Sequence, residues 1–75
     1  MDIGLKVILI DFENECINIK NNNQKLSRKK IRSLKNKLKD IEYYITKDYK
    51  AGVIDKETFD NLIEKYRTLI NSVIQ

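Results

Sequence analysis

Between positions 25 and 39 the chain carries eight basic side chains and no acid: Lys25, Arg28, Lys29, Lys30, Arg32, Lys35, Lys37 and Lys39. Set on a helix at about 100° per residue, Arg28, Arg32, Lys35 and Lys39 fall on one narrow stripe, while Lys30 and Lys37 line the opposite flank. A stripe of this kind can follow a phosphate backbone, where each neutralised phosphate adds a salt-sensitive increment of affinity. It positions a nucleic acid without reading its bases. The same charges would also suit an acidic protein or a membrane surface, or form a solvated helix face in a lysine-rich chain. Tyr43 lies beside the end of the stripe and nearly opposite the helix's apolar face. An exposed tyrosine there can stack on a base or anchor a protein contact.

Other chemistry is harder to assemble from these residues. The chain has no histidine and one cysteine, Cys16, so neither a zinc site of the usual ligand types nor an intramolecular disulfide is expected. Cys16 reads as a small, half-buried apolar residue; its neighbour Glu15 disfavours a thiolate, and a lone cysteine fits a reducing compartment. Asp40 and Glu42 are close in sequence but point in different directions on a helix. No glycine-rich phosphate loop is present, and no serine or cysteine has a base to activate it. The expectation is a protein that is not an enzyme, with no cofactor, no metal and no small-molecule substrate. The apolar run at residues 7–10 is far too short to span a bilayer, and it follows Asp2 where a leader would be basic. The chain therefore reads as cytoplasmic.

The stripe needs a helix to hold it. From Ser27, a reasonable N-cap, Ile31, Leu34, Leu38, Ile41 and Ile45 recur at alternating three- and four-residue spacing, the mark of one helical face. This basic helix is expected over residues 27–51. It is closed by Gly52, which can take the left-handed conformation, at the head of a turn over residues 52–55. A second amphipathic helix is expected over residues 56–74, capped by Asp55. Ile54 is placed to staple onto Phe59, and Glu57 sits favourably in the first turn. So short a turn makes the two helices antiparallel.

Ahead of them, residues 5–12 (LKVILIDF) are rich in β-branched and apolar types. Residues 16–20 (CINIK) place Ile17 and Ile19 in alternation with Asn18 and Lys20. Together these runs read as a β-hairpin over residues 5–20 turning near Glu13 and Asn14, followed by a polar loop over residues 21–26. The predicted class is thus α+β, one domain, with a β-hairpin followed by an α-hairpin. The chain has 75 residues, and a domain of that size buries only about 60% of its unfolded surface. With disulfides and metals set aside, self-association remains as a source of stability. The stripe of Phe59, Leu62, Ile63, Tyr66, Leu69, Ile70 and Val73 is wider than one partner helix covers. A homodimer with a four-helix, coiled-coil-like core is therefore expected.

The turn and second helix carry a resemblance. Residues 52–59 (GVIDKETF), followed by Asp60, resemble the short C-terminal domain known as SHOCT. In that family a helix ends in glycine, two aliphatic residues and a Thr or Asp cap follow, and an acid-rich turn carries a Phe and an acid. The match rests on Gly52, Val53, Ile54, Asp55, Glu57, Phe59 and Asp60 within residues 34–69. The resemblance implies a helical hairpin, appended to larger domains in most members, that mediates oligomerisation. Residues 59–66 (FDNLIEKY) are also similar to the signature of small sporulation-regulator phosphatases, although Lys56 stands where those proteins place a serine. A strand before two helices is similar to ribbon-helix-helix repressors, whose first helix is shorter.

Two function classes follow. One is an oligomerising adaptor or inhibitor, of the kind a phage or plasmid would encode, docking on an acidic or nucleic-acid-handling protein. The other is a dimeric nucleic-acid-binding regulator that uses Arg28, Arg32, Lys35 and Lys39, with Tyr43 beside them.

Overall fold

The computed structural model describes residues 3–23 and 25–74, which form three helices and no strand. These are α1 (Ile3–Asn21), α2 (Arg28–Lys50) and α3 (Lys56–Ile74). The class is all-α, and the β-hairpin expected over residues 5–20 is a single helix of 19 residues.

The reason lies in which residues α1 buries. Leu5, Leu9, Phe12, Cys16 and Ile19 face the core at spacings of four, three, four and three. On a strand Ile17 and Ile19 would share a face, yet Ile19 is 5% exposed and Ile17 is 41% exposed. Val7 likewise points outward between buried Leu5 and Leu9. β-Branched residues lower helix propensity only slightly, and packing of a complete apolar face overrides that preference. No glycine or proline interrupts residues 5–20. Glu13 and Asn14, expected at a turn, continue the helix. The loop begins one residue later than expected, after Asn21, with Asn23 in the left-handed region (φ 50°) just past the end of α1. Asparagine tolerates that conformation better than most residues. Gln24, within the expected loop, lies outside the described residues.

The remaining two helices start and stop on local chemistry. The Ser27 hydroxyl accepts from the Lys30 amide at 3.1 Å, capping α2. At the other end, the Val53 amide donates to the Asp48 carbonyl (2.9 Å) and the Gly52 amide to the Tyr49 carbonyl (3.1 Å). With Gly52 at φ 78°, these two bonds form a Schellman closure. Asp55 then caps α3 by accepting from the Thr58 amide at 2.8 Å, and hydrogen bonding to the Thr58 side chain, then to this amide, lowers the Asp55 pKa. Gly52 and Asp55, two residues of the SHOCT resemblance, thus each have a direct role in the turn.

The chain runs up, down and up. Glu15 of α1 reaches Lys30 and Lys37 in the first half of α2, so α1 and α2 are antiparallel. Phe12 of α1 meets Tyr66 of α3 edge-on, with ring centroids 6.1 Å apart. The core is completed by Leu34, Ile41 and Ile45 of α2 and by Ile70 of α3. Full burial of each such aliphatic side chain contributes roughly 1.5–3 kcal/mol. At the turn end, Tyr49 and Phe59 stack at 4.7 Å.

The wide face of α3 has its cover within the chain. Tyr66 and Ile70 are buried, while Phe59, Leu62, Ile63, Leu69 and Val73 are partly buried against the same core. The width that the sequence assigns to a second copy is taken up by α1. Cys16, expected to be half-buried, is fully enclosed.

Candidate polyanion-binding face

α2 separates its positive charges into two flanks with different fates. On the flank facing α1, one carboxylate holds two lysines: Glu15 accepts from Lys30 through Oε1 and from Lys37 through Oε2, the latter at 2.6 Å. The hydrogen bond from Lys30, then that from Lys37, lowers the Glu15 pKa, outweighing the opposing effect of partial burial. These lysines belong to the packing of α1 on α2. Asp40 lies toward the same side, lining a depression with Lys37, Ile8 and Tyr44.

The other flank is open. Arg28, Arg32, Lys35 and Lys39 are all exposed, and none of them forms a salt bridge among the described residues. All four line one shallow depression of about 390 Å³, with Ile31 and Asn36. Charges left without counter-ions in a shared concavity raise the local potential and attract anions.

The face extends further than the sequence arithmetic placed it. Tyr43, 62% exposed, sits one turn beyond Lys39, with its ring edge-on to Tyr44 at 5.4 Å. Past it, Tyr43, Thr46, Lys47 and Lys50 line a second depression of about 290 Å³. Lys47 and Lys50 lie beyond the stripe that the sequence predicts. Their signal is the continuation of the three-four spacing from Lys39 through Tyr43. From Arg28 to Lys50 the face is about 33 Å long at ~1.5 Å rise per residue.

Glu42 could have broken this positive face. Instead Arg67 of α3 takes it from the side, donating through Nε at 2.7 Å and through a terminal nitrogen at 3.3 Å. Glu42 raises the Arg67 pKa through that hydrogen bond and its charge. A fourth inter-helix pair, Lys65 with Glu13 at 3.5 Å, joins α3 to α1. The three acids therefore sit against helix-packing cations and leave the open flank of α2 unopposed.

The Cys16 thiol is enclosed, and burial, then the neighbouring Glu15, pushes its pKa up, away from the nucleophilic thiolate. Among the described residues, no group of three acids, histidines or cysteines is placed to hold a metal ion. No helix among them is long and apolar enough to cross a membrane. No family model matches this chain, nor does any curated protein or solved structure.

Proposed function

We propose that this chain is a non-catalytic binding module that lays the open flank of α2 along a nucleic-acid phosphate backbone. The observation that carries the reading is the sorting of cations on one helix. Lys30 and Lys37 are consumed in packing, whereas Arg28, Arg32, Lys35 and Lys39 share an exposed depression with no salt-bridge partner among the described residues. A straight face of about six helical turns suits a linear polyanion better than a compact anion. Its contacts hold the backbone, so affinity is expected to vary little with base sequence.

A second reading, an adaptor or inhibitor docked on an acidic protein, is favoured by the exposed Tyr43–Tyr44 pair. Aromatic side chains of this kind, apolar in body and polar at the tip, are common anchors at protein interfaces. Titration of a generic DNA duplex across a range of salt concentrations separates the two. Backbone binding gives a linear log–log plot with a slope of about −0.9 per contacted phosphate. Absence of duplex binding at low salt would discard the first reading and leave the second.

A further inference from the structure

α1 is apolar on two opposite sides. The inward side forms the core. On the outward side stand Ile3 (77% exposed), Val7 (51%), Ile10 (56%) and Ile17 (41%). Exposed Asn14 occupies the gap between Ile10 and Ile17. Single apolar residues on a surface are ordinary, but a row of four on one helix calls for a partner. α3 has the same length of 19 residues and the same task of packing on two neighbours, and its outward positions are polar. The outward stripe of α1 is therefore more than the bundle requires.

The spacing of that stripe is four, three, four, three, which is a heptad seam. Val7, Asn14 and Asn21 fall at the a positions, and Ile3, Ile10 and Ile17 at the d positions. We infer that a second copy of this chain covers it, with the two α1 helices parallel and in register. Three features choose this occupant. A foreign apolar surface would leave the Asn14 amide buried without a partner, which is unfavourable. In a parallel dimer each Asn14 meets the other Asn14, and the two amides can donate and accept in turn.

The flanking charges agree. Lys6 occupies a g position and Asp11 the e position five residues later, the pair that approaches between parallel chains. Neither forms a salt bridge within the chain among the described residues. A fully overlapped antiparallel pairing would set Asn14 against isoleucine and Lys6 beside Lys20. Finally, α1 is already held helical by α2 and α3, so association does not carry the entropic cost of forming the helix. The seam over residues 3–17 is only about 21 Å long at ~1.5 Å rise per residue, which makes the dimer a weak one.

Sedimentation equilibrium from low micromolar to millimolar concentration reads the assembly. The mass should rise from 8.9 kDa toward twice that value. Ile10→Asp leaves the core untouched, so its helical circular dichroism should persist while dimerisation weakens more than about tenfold, or 1.4 kcal/mol. Asn14→Ile should tighten association and shift it toward trimers or tetramers, since isoleucine at d then faces no polar a residue there. Asn14→Cys should cross-link to itself under mild oxidation, because enclosed Cys16 does not compete. A monomer at all concentrations overturns the inference, as does a dimer that Ile10→Asp leaves intact. Cross-linking of Val7→Cys to Ile17→Cys in a mixture, with none at Asn14→Cys, overturns the parallel register.

Discussion

The two flanks of α2 carry the same residue types and do opposite things. Lys30 and Lys37 point at α1 and meet the Glu15 carboxylate, whereas Arg28, Arg32, Lys35 and Lys39 point away from both neighbours and form no salt bridge among the described residues. Counting the basic block as one patch of eight charges hides this division. What separates a structural cation from a candidate binding cation here is the position of a single glutamate one helix away. The lesson extends to Glu42, whose capture by Arg67 keeps a negative charge from interrupting the open face.

Replacing Arg28, Arg32, Lys35 and Lys39 with glutamine should have the largest effect. Glutamine is nearly as good a helix former, so the fold should survive. Duplex affinity at low salt should fall by roughly a hundredfold, and the salt slope should shrink by about 0.9 per lost contact. Similar losses on unrelated sequences would fit contacts that position without specifying. Unchanged affinity would collapse the distinction between the flanks.

Next comes Gly52→Val, which changes no charge. A Cβ at position 52 would meet nothing within 4 Å, so the cost is purely that of holding a β-branched residue at φ 78°. That should remove about 1–2 kcal/mol of stability in a denaturant melt. Duplex affinity measured where the variant is folded should stay the same, which separates stability from binding.

Glu15→Gln should cost about 1 kcal/mol, because it loosens both lysines from α1 at a site only partly shielded from water. The pH dependence has a definite sign. The folded-state pKa of Glu15 is depressed, so its stabilisation is present above the ordinary glutamate pKa and is lost as pH falls through the folded value. Urea melts from neutral to acid pH should show a shallower acid loss in the variant than in the parent. A parallel pH profile would mean that the clamp does not hold the helices.

The smallest expected effect is the sharpest control. Lys30→Gln with Lys37→Gln removes two charges of the same block, yet duplex affinity should change by no more than about threefold, through long-range electrostatics alone. A loss matching half of the quadruple variant would show that both flanks bind.

The legibility of the chain follows local chemistry. α2, the turn and α3 could be read because Ser27, Gly52 and Asp55 mark the boundaries and the apolar residues keep to one side. α1 is ambiguous because apolar residues occupy both of its sides, so a two-residue alternation can be found within it. The correct signal was present in the spacing of Leu5, Leu9, Phe12, Cys16 and Ile19, together with the absence of a glycine, proline or Asn-Gly turn between them. The same ambiguity conceals the division of α2. Arg28, Arg32, Lys35 and Lys39 could be placed on one stripe by angle alone, but the neutralisation of Lys30 and Lys37 depends on Glu15 lying on a neighbouring helix. No pattern within α2 itself reveals it.

A helix that is apolar on both sides also poses a problem of rotation. Turned half a revolution about its axis, α1 would offer Ile3, Val7, Ile10 and Ile17 to α2 and α3 in place of the native set. Such a compact competitor narrows the energy gap that keeps a fold unique. Two polar groups stand against it. The rotation would bury Asn14 in the core and carry Glu15 away from Lys30 and Lys37. Asn14 and Glu15 therefore act as the key that sets which way α1 faces. Removing both, in Asn14→Ile with Glu15→Gln, should leave a chain that remains helical but melts over a broader range, with its amide resonances split between two packings.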